Sequence, residues 1–486
     1  MSRILGNLAP EKVWYYFEEI TKYPRPSKKE EKIAAYIKGW AKDKGFEIQE
    51  DEIGNFVVRK PATAGMEDRK VVCIQGHIDM VCEKNADVEF DFDNDAIQPY
   101  IDGDWVKAKG TTLGADNGVG VAMGMALLDS TDIPHPALEL LLTLDEETGL
   151  TGAIQLGTNL LKSDILINLD SEEDGTFTIG CAGGMNTLGI YPYTAETVPS
   201  EYTAYKLSIT NLRGGHSGIN IHEGRGNAAK FMSRLLFVLQ ENIDFRLSDF
   251  NSGSKHNAIP REAFVNLVVA NKQVNEFEQA VKQFSETLTS EYSSVEPGVK
   301  VEYATSNMPS RVLSLQSQKN IINSFNAIHH GVYRMSPDID GLVQTSSNFA
   351  IVETKESTIE VLTSQRSSME SEKIDMAGKI KSAMELGGAK VSGGAGYPAW
   401  QPNIHSPILE HAKGIYAKMF GNEPEILVIH AGLECGLIGE KYLGMDMLSF
   451  GPTLEDVHSP QEKVSISSTN KTWEFLVEVI KNTPKK

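Results

Sequence analysis

The stretch KVVCIQGHIDM, residues 70–80, runs an apolar segment of strand length directly into a histidine and an aspartate. Residues at i and i+2 of an extended chain project from the same face, so His77 and Asp79 leave the strand end aimed at one pocket. Cys73, inside the apolar run, reads as a buried free thiol. Similar runs lie on both sides. FVVRK (56–60) precedes it, and ALELLLTL (137–144) and DILINLD (164–170) follow. Between the runs the period changes to that of helices. Val13, Phe17 and Ile20, then Ile33, Tyr36 and Ile37, recur at helical spacing, with a break at Pro24, Pro26 and Ser27. Gly118–Leu128 is a small, apolar helical stretch. Buried strands alternating with helices predict an α/β sheet covered on both faces.

Near Met185 the texture shifts. YKLSITNL (205–212) and AFVNLVVANK (263–272) alternate in period two, as strands with one solvated face do. Helices are expected at Asn227–Gln240 and Glu276–Tyr292. VEYATS (301–306) then opens a second round, with helices near Lys319–His329 and Glu370–Leu386 and strands SSNFAIVE and STIEVLTSQ. The reading is two similar α+β modules in tandem. The Gly/Pro-rich VSGGAGYPAWQPN (391–403), with Gly394–Gly396 inside it, is the return linker. Helix Ile408–Phe420, strands ILVIH and DMLSFG, and helix Thr469–Ile480 resume the α/β texture. The expected organisation is a discontinuous α/β domain, 1–185 with 396–486, carrying an inserted α+β domain at 186–395.

Of the 486 residues, 41% are apolar and 23% charged, and the formal net charge is −20. A chain this acidic lacks the basic face that nucleic acid or an anionic membrane requires, so neither is an expected partner. Four cysteines without a CxxC pair do not make a disulfide scaffold. The first residues lack a secretory pattern, and no apolar run reaches the ~20 residues of a membrane span. The expected location is the cytoplasm.

Candidate chemical groups gather at strand ends. Asp116 sits in the glycine-rich loop GTTLGADNG (110–118) that opens a helix. Glu146 and Glu147 follow a strand in LTLDEETG (142–149), and Asp170 ends DILINLD. His458 lies in GPTLEDVHSP (451–460). Taken singly, each is an ordinary loop or cap residue. Open α/β sheets bind ligands at the carboxyl ends of their strands, so together they can converge. That many carboxylates in one place repel one another unless cations intervene. Two divalent ions about 3.5–4 Å apart would relieve the repulsion. Imidazole with carboxylate oxygen suits zinc, with cobalt or manganese as alternatives.

With these motifs in order, the chain resembles the peptidase M20 family of metallopeptidases over essentially its whole length. The resemblance implies a zinc-peptidase-like catalytic domain, a mixed sheet covered by helices, and the insert as a lid. It implies that Asp116 bridges two metals, that His77 and Asp170 complete one site, and that Glu147 and His458 complete the other. Asp79 would orient His77, and Glu146 would be the general base. The Asp116–Asn117 peptide would be cis. In the insert, His216 of LRGGHSGINIHEGRGN would stabilise the oxyanion. Asn257 of SKHNAIP would bind substrate, and Arg366 of LTSQRSSME would clasp its carboxylate. Glu434, in IHAGLECG with His430, could meet a substrate ammonium group.

The length of the insert, HAGLECG and GGHSG are most similar to the aminoacyl-histidine-cleaving, carnosinase-type members. The implied activity is hydrolysis of unblocked dipeptides, Xaa-His included, with an N-acyl-amino-acid deacylase or a carboxypeptidase as alternatives. The insert is about twice as long as that of the simplest dimeric relatives, where the lid histidine reaches the partner's site. Either this chain also forms a homodimer, or its second module imitates the mate.

Overall fold

The computed structural model describes residues 3–394 and 396–486; Met1, Ser2 and Ala395 lie outside them, and with Ala395 the middle of the Gly394–Gly396 loop and the expected end of the insert. The chain divides into two compact units. One comprises Met1–Cys181, Pro402–Val428 and Leu433–Lys486, the other Ala182–Gln401 and Ile429–Gly432.

The first unit is built on an eight-stranded sheet. Its centre is four neighbouring parallel strands, Leu138–Thr143, Val72–His77, Ile165–Asn168 and Asp446–Ser449. Phe56–Lys60 and Glu47–Glu50 extend one side antiparallel, and Thr176–Cys181 continues the other. The sheet is therefore mixed. Every residue of Val72–His77, Leu138–Thr143 and Ile165–Asn168 is buried, which is why these strands read as unbroken apolar runs rather than alternating ones. Cys73 is buried and free.

Helix Ala115–Asp129 is buried on nearly all sides. It can lie this close to the sheet because a Cβ on Gly76 would run into Asn117, and one on Gly120 into the Leu169 carbonyl. Helix Glu11–Ile20 buries Val13, Trp14 and Phe17 in the same core. The chain's return is fixed by helix Ile466–Lys481. The Ser465 side chain caps it, and Phe475 stacks on Phe177 at 5.2 Å between ring centroids.

The second unit has its own core and a nine-stranded sheet. Two similar α+β modules are present, but nested rather than in tandem. The inner one has strands Tyr202–Thr210, Phe245–Ser252, Ala263–Ala270 and Lys300–Thr305, with helices Ala228–Asn242 and Val274–Glu291. In space the fourth strand pairs with the first, the first with the third, and the third with the second. The outer module repeats that order with Gly183–Pro192, Val343–Thr354, Thr358–Ser367 and Lys390–Gly393, and helices Leu315–Ala327 and Glu370–Leu386. The two sheets join where Ser252 pairs with Val352. The outer module's first strand thus precedes the whole inner module. VEYATS, expected to open the second round, instead closes the first, since Lys300–Thr305 pairs with Tyr202–Thr210. Local alternation identifies strands but carries no record of their distant partners.

Candidate metal centre

His77 is the last residue of its strand, and the Glu146 and Asp170 loops follow the two strands parallel to it on either side. Parallel neighbours deliver their carboxyl ends to the same edge, so the three loops meet. Asp116 arrives from the start of helix Ala115–Asp129, on which the peptide bond to Asn117 is cis. Its Oδ1 lies 3.0 Å from His77 Nε2, and its Oδ2 lies 3.1 Å from His458 Nε2. Asp170 approaches His77 Nε2 at 3.5 Å, and Glu147 Oε2 approaches His458 Nε2 at 3.0 Å. His77, Asp116 and Asp170 form one group of donors able to hold an ion, and Asp116, Glu147 and His458 form another. His77, Glu146 and Glu147 form a third overlapping group.

Asp79 sets the orientation of two of these loops at once. Its Oδ1 faces His77 Nδ1 at 3.2 Å and accepts the Glu146 N–H at 3.1 Å. Its Oδ2 accepts the Glu147 N–H at 3.2 Å and the Ser27 hydroxyl at 2.8 Å. Burial would raise this carboxyl, but His77, Ser27 and the Glu146 N–H outweigh it and hold it down at about 2. With its Nδ1 held against Asp79, His77 turns Nε2 toward Asp116 and Asp170.

The electrostatics show a shortage of positive charge. Burial, then the carboxylates of Asp170, Glu434 and Glu147, push Glu146 well above its ordinary value against the pull of His77. Burial and Asp116 likewise raise Asp170. Hydrogen bonds to Asp116 and Glu147 lift His458 to about 11. His77, despite burial, is raised well above its usual value by Asp170, Asp116 and Asp79. Protonated imidazoles here answer a demand that divalent cations would meet. Glu147 Oε1 is buried and has no hydrogen-bond partner among the described residues. The donor set and this orphaned oxygen fit two ions.

Glu434 starts helix Glu434–Lys441 and is buried. Its Oε2 accepts from Gln75 Nε2 at 2.5 Å and Thr143 Oγ1 at 2.8 Å, and its Oε1 has no partner among the described residues. Burial first, then Asp170, push it up to about 7.

The second unit gathers the other expected residues. His216 Nδ1 accepts the N–H groups of Gly218 at 3.2 Å and Ile219 at 3.1 Å, which leaves the proton on Nε2. Burial, Arg366 and His256 lower it to about 4, so the ring is a neutral donor. Asn257 accepts the Ser217 N–H through its backbone carbonyl at 2.8 Å. Arg366 is buried; its Nη1 donates to Tyr397 Oη at 2.7 Å, and its Nε has no partner among the described residues. His430 Nε2 lies 2.8 Å from Ser346 Oγ.

Sequence reading missed Arg25, Ser27, Gln75, Thr143, Asn168 and Glu462. All are polar groups around the candidate ligand loops, and none lies in a pattern that announces it. The nearest signals are positional: Gln75 and Asn168 each lie on a strand, two residues before a candidate ligand.

Residues 73–482 match peptidase family M20/M25/M40. The chain is 44% identical over 482 residues to the cytosol non-specific dipeptidase of Escherichia coli (strain K12), covering 99% of each. It is similar to the crystal structure of aminoacylhistidine dipeptidase from Vibrio alginolyticus, with a TM-score of 0.94 and 42% identity over 99% of this chain and 98% of that one. An aminopeptidase from Bacillus cereus shares the fold at a TM-score of 0.56 and 16% identity, with 98% of both chains covered. No helix among the described residues is long and apolar enough to cross a membrane.

Proposed function

Since the chain belongs to peptidase family M20/M25/M40, we propose that it is a metal-dependent dipeptidase of the cytoplasm, acting on unblocked dipeptides, Xaa-His such as carnosine among them. The observation that carries this reading is the Asp116 carboxylate, which offers one oxygen toward His77 and the other toward His458. His77, Asp116 and Asp170 would hold one ion, and Asp116, Glu147 and His458 would hold the other. Zinc suits these donors, with cobalt or manganese as alternatives. Ions bound there lower the pKa of a shared water and polarise the scissile carbonyl.

Glu146 takes the proton from the attacking water and later delivers it to the leaving amine. It stands in the same donor group as His77 and Glu147, which supports that task. Asp79 keeps His77 in the tautomer that exposes Nε2. His216 offers its Nε2–H to the developing oxyanion, a role its neutral tautomer supports. Arg366 and Asn257 hold the substrate's terminal carboxylate, and the free Oε1 of Glu434 serves a substrate ammonium group.

The test is metal analysis of the purified protein together with a substrate panel. Two ions per chain and turnover of carnosine and other unblocked dipeptides are expected. Preference for N-acetyl or N-succinyl amino acids would make it a deacylase of the same family. Full turnover after complete chelation would overturn the metal reading.

A further inference from the structure

Glu462 lies four residues after His458 and is 3% exposed. Its carboxylate accepts four consecutive backbone N–H groups. Oε2 takes those of Leu113 at 2.7 Å and Gly114 at 2.9 Å; Oε1 takes those of Ala115 at 2.7 Å and Asp116 at 3.3 Å. A chain that only needed to close this loop could have used water or a turn. Here a buried charge is spent on it, which is costly unless the geometry it enforces matters.

The opposite side of the same loop is held by Arg25, itself 3% exposed. Its guanidinium donates to the Gly114 carbonyl, and also to the carbonyls of Ile78 at 3.2 Å and Asp79 at 2.6 Å. The peptide groups on either side of Gly114 are therefore gripped from both ends, the N–H by Glu462 and the C=O by Arg25. Gly114 sits at φ +70°, and a Cβ there would run into Arg25. Three ligand-bearing segments are tied through these two side chains: the His77–Asp79 strand end, the Asp116 loop and the His458 loop.

We infer that Glu462, braced by Arg25, is a positioning residue that fixes Asp116 between His77 and His458 and so sets the spacing of the two ion sites. The inference rests on the two-ion reading above. Groups that orient metal ligands typically cost about 10–100-fold in affinity or activity when removed. Glu462 acts through the backbone of the shared ligand, so both ion sites should feel its loss.

The test is Glu462→Gln, which keeps the shape of the side chain but turns an amide N–H toward a pair of N–H donors. Cobalt titration of the chelated protein, followed by visible absorption, reads the ion sites without turnover. Expected are a roughly tenfold or greater loss of cobalt affinity, an altered cobalt spectrum, and kcat lowered about 10–100-fold with KM changed less than about threefold. Glu462→Asp should recover part of the affinity. Wild-type cobalt affinity, spectrum and kcat in a folded Glu462→Gln protein with a lowered melting temperature would make the residue a structural brace and overturn the inference. If that variant does not fold, Arg25→Lys decides on the same readouts, weakened cobalt binding supporting the inference and unchanged binding overturning it. Failure of the wild type to bind two ions would instead overturn the underlying two-ion reading.

Discussion

Asp116 and His458 are 342 positions apart in the chain and 3.1 Å apart in the fold. The second oxygen of the same carboxylate faces His77, so one side chain addresses both halves of the candidate centre. Asp116→Asn would keep its size and remove the charge both halves share. Metal content should fall from two ions per chain to one or none, with turnover lost, as read by elemental analysis of the purified variant. Retention of two ions at wild-type affinity would contradict a bridging role.

Glu146→Gln separates proton transfer from ion binding. Glu146 shares a donor group with His77, yet the proposed ligand at its position is its neighbour Glu147. Metal stoichiometry should stay as in the wild type while kcat falls by about 10²–10⁴. A metal-replete variant with wild-type kcat would remove Glu146 from the mechanism.

Glu434→Gln tests a buried charge through pH. The folded carboxyl is raised to about 7 from an ordinary 4.5. Below about 4.5 both folded and unfolded forms are protonated, and the group leaves stability unchanged. As pH climbs toward 7 the unfolded chain ionises while the folded one resists, so wild-type stability is lost across that window. Glutamine can still accept from Gln75 and Thr143. The chelated variant should be more stable than the chelated wild type by about 3 kcal/mol at pH 8, with the difference vanishing near pH 4. Urea unfolding at both pH values checks this; a pH-independent difference would refute it.

Gly120→Ala tests the close seat of the Asp116 helix. The added methyl would press on the Leu169 carbonyl and Asn117. A loss of about 1–3 kcal/mol is expected, measured by thermal melting. Because Leu169 precedes Asp170, kcat should fall too. A variant with wild-type stability and activity would show that the helix has room to spare.

Three of the candidate loops were legible in the sequence because each follows an apolar run: His77 after KVVCIQG, Glu146 after ALELLLTL, Asp170 at the end of DILINLD. Period and length identify such strands, and parallel pairing then brings their ends together. What surrounds the loops was not legible. Glu462 and Arg25 are single charged residues in irregular segments, and only the folded backbone shows that they face the same four-residue turn. The nesting of the α+β modules escaped for a related reason. Gly183–Pro192 alternates like any strand, and nothing local shows that its neighbours are Thr358–Ser367 and Lys390–Gly393. Pairing between remote segments is a property of the whole sheet.

The return of the chain's last segment into the first unit has a consequence for biosynthesis. A ribosome must release residue 458 from its exit tunnel before the second imidazole can join, long after the segment that carries Asp116 has emerged. A polypeptide cut short before that residue would lack one of the two proposed ion sites, so the ability to cut peptides would wait on its emergence.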